Sequence, residues 1–165
     1  MYYATMAKGT VITSVRDVIA VASDIIEAAE TDIAWLIPSY MLVYSSQFSL
    51  MQKARTLIQK GGRARGITAI SLPYVEEVRA AMDVGEDVRH VGHYQEIFML
   101  VNDKAESISA INTHKEERSL DDPTVAYWTD DPTYAEYLLS SFEMAWEQST
   151  DAAERIRELL KGPRT

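Results

Sequence analysis

The chain contains no cysteine. Disulfide frameworks, thiolate metal sites and cysteine nucleophiles are therefore excluded at once. Histidine is scarce, with three residues in 165, and no stretch approaches the roughly 18 apolar residues of a membrane-spanning helix. Positive charge is also in deficit: 16 basic side chains stand against 25 acidic ones, for a net charge of −9. Nucleic-acid phosphates need a basic face, so the balance argues against a general nucleic-acid binder. Met1–Thr13 carries Lys8 alone and no apolar block, which does not read as a secretory signal. The resulting expectation is a cytoplasmic protein with no membrane association.

What is present is an ordinary globular composition, 47% hydrophobic, with three Trp and nine Tyr to fill a core. The length suits one domain spanning residues 1–165. The acid is not spread evenly. Residues 1–60 hold five basic and five acidic groups, whereas the last fifty hold five basic against twelve acidic. Two explanations compete for that gradient: a solvated helical surface, or an acidic face on which a partner protein docks.

Periodicity orders the elements. Ser14-Val15-Arg16-Asp17 has the form of a capping box, and Val18, Val21, Ala22, Ile25, Ile26 and Ala29 follow at helical spacing. Asp32–Ile37 is uniformly apolar after its first residue, as a buried strand would be. Pro38-Ser39 opens a second helix carried by Met41, Leu42, Phe48, Met51, Leu57 and Ile58, which Lys60-Gly61-Gly62 ends. Arg63–Ile70 reads as a strand, and Ser71-Leu72-Pro73 starts a short helix through Met82. Strands are expected at Asp87–Val91, Glu96–Val101 and Ser107–Ile111. The polar run Thr113–Thr124 is expected to be a loop, and Val125–Trp128 a last strand. Asp131-Pro132 caps a long helix, Asp151 re-caps a terminal one, and this helical segment covers about 131–162. The alternation predicts an α/β fold with a mixed, partly parallel central sheet flanked by helices.

The chemical motifs are few. His90-x-x-His93 is the only close histidine pair; it stands near a strand end and lacks further ligands, so no metal and no cofactor are expected. Gly61-Gly62 follows a helix rather than preceding one, the reverse of a nucleotide-binding loop. No serine sits in a Gly-x-Ser-x-Gly elbow. The paired aspartates Asp121-Asp122 and Asp130-Asp131 suit turns and caps.

The segment Glu96-Ile-Phe98-Met-Leu-Val-Asn102-Asp103-Lys104, followed by a strand through Ser109, is more informative. It resembles the core hairpin of the phospholipase-D-like superfamily. Active members carry His-x-Lys-x4-Asp on this strand, the histidine being the phosphoryl-accepting nucleophile and the lysine a phosphate ligand. With Asp103 on the motif aspartate, Glu96 falls at the histidine and Phe98 at the lysine. Starting from His93 instead puts Gln95 at the lysine and Leu100 at the aspartate. A phenyl ring cannot hold phosphate charge, so the resemblance implies a site that has lost its chemistry.

Further stretches extend the resemblance: Lys60–Thr68, Val84–His90, Trp128–Pro132, Phe142–Trp146 and Glu154–Glu158. Together they are similar to the catalytically silent sensory domains of archaeal TrmB-type regulators and some sensor histidine kinases. That likeness implies a non-enzymatic regulatory domain with phospholipase-D-like α/β/α layers, paired as a homodimer. It also implies a degenerate pocket lined by Glu96, Phe98 and Asp103, with Arg65, His90 and Trp128 at its rim. Two alternatives remain: a divergent hydrolase using His90 or His93 with Asp103, and an adaptor docking a partner on its acidic C-terminal helices.

Overall fold

A computed structural model describes residues 7–92, 97–111 and 119–162. The elements run β1 (Gly9–Ser14), α1 (Val15–Ala28), β2 (Asp32–Leu36), α2 (Leu42–Gln47), α3 (Leu50–Gln59), β3 (Arg63–Thr68), α4 (Val75–Asp83), β4 (Asp87–His90), β5 (Ile97–Asn102), β6 (Ser107–Ile111), β7 (Pro123–Thr129), α5 (Pro132–Gln148), β8 (Thr150–Asp151) and α6 (Ala152–Lys161). Short 3₁₀ turns at Ser39–Met41 and Leu72–Tyr74 lead into α2 and α4.

All eight strands join one sheet in the order β1-β7-β6-β5-β2-β3-β4-β8. The β2–β3 and β3–β4 pairs are parallel and every other pair is antiparallel. This is the mixed, partly parallel sheet expected from the alternation of elements. Strand β2 is apolar throughout because both of its faces are covered. Ile33 and Trp35 enter the core shared with α1–α4 and α6, while Ala34 and Leu36 enter a second core under α5. Five helices therefore lie on one face and α5 alone on the other.

Local signals placed the helix ends. Ser14 Oγ accepts from the Asp17 N–H at 3.1 Å and starts α1, and Asp131 Oδ1 accepts from the Thr133 N–H at 2.9 Å and starts α5. Asp151 does the same for α6, accepting from the Glu154 N–H at 2.9 Å. Gly61 takes φ +92° just beyond α3, a left-handed turn that favours glycine.

Four expectations are corrected. The helix expected from Ser39 to Ile58 is broken: Ser49 takes φ 62° between α2 and α3. The break turns both Leu42 and Tyr44 of α2, and Leu50, Met51, Ala54 and Leu57 of α3, onto the same core. Gly9–Ser14, considered only as a leader, forms edge strand β1 paired with β7. Strand β7 begins at Pro123, opposite Ser14, two residues earlier than expected. Finally, Thr150–Asp151 adds a two-residue edge strand to β4 before α6 begins. Of the expected loop, residues 113–118 lie outside the described residues, as do His93, Gln95 and Glu96.

Candidate functional site

The site begins with the alternation of β2, which sends Trp35 toward α1–α4. Its parallel partner in register is Gly66. A Cβ on Gly66 would sit 1.9 Å from Trp35 Cζ2, so the bare backbone is what lets the indole lie down across β3. In that position Trp35 Nε1 donates to Glu86 Oε2 at 2.9 Å. Glu86 closes the turn between α4 and β4, its own N–H donating to Ala81 O at 3.1 Å.

Glu86 is buried, with 8% of its surface exposed. Burial pushes its carboxyl up to about 7, against the opposing pull of the Trp35 hydrogen bond. It borders a cavity of about 60 Å³ enclosed by α1 (Val18, Ile19, Ala22, Ile26), β2 (Ile33, Trp35), α2 and α3 (Leu42, Leu50, Met51) and β5 (Phe98, Leu100). Among the described residues, Glu86 is the one acidic or basic side chain in that lining. A second hollow of about 40 Å³ adjoins it, and Phe98, Val18, Met41 and Tyr44 border both. A carboxyl that titrates near neutrality inside an apolar wall can hold a cation or a hydrogen-bond donor, and it disfavours anions.

The expected site residues separate. Phe98 is buried at the cavity, and Glu96 lies outside the described residues. Asp103 stands at the far end of β5 from the cavity, where Oδ1 accepts from the N–H groups of Glu30, Thr31 and Asp32 at 2.9, 3.1 and 3.2 Å. Partial burial works to raise this carboxyl, but those N–H bonds together outweigh it and hold it below its ordinary value. Asp103 is thus a clamp on the α1–β2 loop. The turn itself is held by buried Asn102, whose Oδ1 accepts from the N–H groups of Lys104 and Glu106 at 2.9 and 3.0 Å.

Arg65 is corrected from the rim to the opposite face of the sheet. Strand alternation places it under α5, 5.1 Å from the Phe142 ring centre and 5.3 Å from that of Trp146, paired with Glu143 at 2.7 Å. His90 ends β4 with Nδ1 accepting from the Ile70 N–H at 3.0 Å. Burial, then the nearby Arg155 guanidinium, holds its imidazole below the ordinary value despite Glu158. Trp128 lies on the helix-covered face of β7, opposite Thr10 and Ile108, and borders neither hollow. Among the described residues no three histidine or carboxylate side chains gather as metal ligands, and no helix is long and apolar enough to cross a membrane.

Glu86 was missed in the sequence because Gly85-Glu86-Asp87 reads as an exposed turn. The signal that points to it is indirect. A buried indole needs a partner for its N–H, and the glycine beside Trp35 leaves room for that indole to reach across.

This layered sheet is the phospholipase-D-like fold. Solved structures that share it are TrmBL2, an archaeal chromatin protein described with a novel mode of DNA binding (TM-score 0.67, 14% identity, 92% of this chain), Nuc of Salmonella typhimurium, a phospholipase D family member (0.69, 13%, 88%), and NucT of Helicobacter pylori (0.68, 12%, 88%). The chain spans 56% of the TrmBL2 chain, and 98% and 99% of the other two. No family model matches the sequence, and no curated protein matches it. At these identities the likeness establishes the fold alone.

Proposed function

We propose that this chain is a non-enzymatic, phospholipase-D-like regulatory domain that binds a small ligand in the cavity beside Phe98 and passes its occupancy to α6. The observation that carries this reading is Phe98 itself, an apolar ring forming a cavity wall, which the resemblance in sequence aligns with the motif's phosphate-binding lysine. Ala152 and Ile156 of α6 belong to the same core as Phe98, Trp35 and Leu100, so filling the cavity acts on the packing that holds α6. A hydrolase built on His90 and Asp103 has weaker support. His90 pairs with Thr68 at the carboxyl end of β3, whereas Asp103 contacts Asp32 at the opposite end of the parallel strands.

The homodimer finds a suitable surface on the sheet face that α5 leaves uncovered. Ile111 and Val125 are 77% and 71% exposed there, beside Ile97, Tyr127 and Tyr137, and among the described residues the hollow they border has no charged lining side chain. For a chain of net charge −9, an uncharged apolar face is where a second copy meets least repulsion.

The test is a thermal-shift screen of a metabolite library on wild type and Phe98→Ala, run beside turnover of bis(p-nitrophenyl) phosphate. The expected result is a ligand that raises the wild-type melting temperature, loses its effect in Phe98→Ala, and no turnover. Turnover abolished by His90→Ala, or no stabilising ligand at all, overturns the reading.

A further inference from the structure

We infer that the cavity takes a small apolar amine, its ammonium group on the Glu86 carboxylate and its hydrocarbon among Val18, Ile26, Leu50 and Phe98. This rests on the cavity being a ligand site and names the class of ligand. The lining sorts the alternatives. An anion would face Glu86 with no lining cation to offset it. A neutral hydrocarbon would fill the space, leave the buried carboxyl protonated up to about pH 7 and gain nothing from its capacity to carry charge. An ammonium supplies both charge and donors, and its attraction to the carboxylate is strengthened by the apolar wall. The volume of about 60 Å³, with about 40 Å³ more past Phe98, limits the skeleton to a short alkyl chain, since a benzene ring asks for a cavity of about 150 Å³.

Proton linkage gives this assignment its own signature. Without ligand, Glu86 holds its proton up to about pH 7. Among the described residues, the elements α1, β2, α2, α3 and β5 bring no charged side chain to the lining, and Tyr44 is its other titratable group. A bound ammonium favours the carboxylate, so amine binding near neutral pH expels the Glu86 proton.

Isothermal titration of the full chain with propylamine, propan-1-ol and propanoate, at pH 6 and 8 and in buffers of different ionisation enthalpy, tests this. Propylamine is expected to bind about tenfold more tightly at pH 8 than at pH 6, with proton release. Glu86→Gln, checked for folding by circular dichroism, is expected to lose the pH dependence and at least about tenfold in affinity. Propan-1-ol is expected to bind weakly, and propanoate not at all. Equal binding of amine and alcohol with no proton release overturns the amine while sparing the cavity as a ligand site. If neither amine nor alcohol binds, and no library ligand shifts the melting temperature, both readings fail. Proton release in wild type decides the point even if Glu86→Gln does not fold.

Discussion

Trp35 and Glu86 are joined by one buried hydrogen bond, 2.9 Å from Nε1 to Oε2, in the wall of an apolar cavity. The indole orients the carboxyl, and the surrounding hydrocarbon sets its proton affinity.

The pair makes stability depend on pH in an unusual direction for a carboxylate. Glu86 ionises near 4.5 when unfolded and near 7 when folded, so between those values the native state binds more protons than the unfolded state. Its contribution to stability is therefore lost as pH rises from 4.5 through 7. Glu86→Gln keeps an acceptor for Trp35 and removes the ionisation. Relative to wild type it should gain up to about 3 kcal/mol at pH 8 and little at pH 4.5, read from urea midpoints. Midpoints that run parallel across that range would refute the assignment.

Gly66 and Trp35 form one packing unit. Gly66→Ala places a methyl group inside the indole's volume and should cost about 1–3 kcal/mol. In the background of Trp35→Leu the same substitution should cost much less. A double-mutant cycle by chemical denaturation checks this, and coupling below about 0.5 kcal/mol would contradict the contact.

Asp103 should prove structural. Asp103→Ala leaves the N–H groups of Glu30, Thr31 and Asp32 to water and should cost about 1 kcal/mol, as loss of a helix cap does. Its carboxyl is held low in the folded state, so its contribution is present above the ordinary aspartate range and lost as pH falls through the folded value. Ligand affinity at the cavity should be unchanged in Asp103→Ala by calorimetry. A large loss of affinity would return Asp103 to the site.

The bare sheet face predicts the oligomeric state. Wild type should elute at twice the chain mass in size-exclusion chromatography with light scattering. Ile111→Asp combined with Val125→Asp should halve that mass with an unchanged circular-dichroism spectrum. A monomeric wild type at micromolar concentration would rule out this pairing.

The sequence was most legible where structure is set within a few residues. Ser14 with Asp17, Asp131 with Pro132, and Gly61 all marked helix ends correctly, and the apolar run of β2 announced a strand covered on both faces. It was least legible where a distant partner decides. Strand β1 has a modest apolar pattern and needs β7 to complete it. The break at Ser49 leaves the helical periodicity of residues 41–58 intact, so periodicity alone reads straight through it. The register against the motif singled out Phe98, which lies buried beside the cavity. Arg65 went to the wrong face because a strand's facing is fixed by its neighbours, and Glu86 went unnoticed because its burial comes entirely from Trp35 and the helices above it.

The strand order also bears on how the chain reaches this state. Gly9 lies opposite Thr129 and Ile12 opposite Ala126, so β1 must wait for a partner more than a hundred residues further along the chain. Until then β1 is an orphan edge, with Val11 and Ile12 available to any other strand it meets. Such distant pairing closes large loops and slows folding. Misassembly in this protein should therefore begin at its first strand, well away from the cavity.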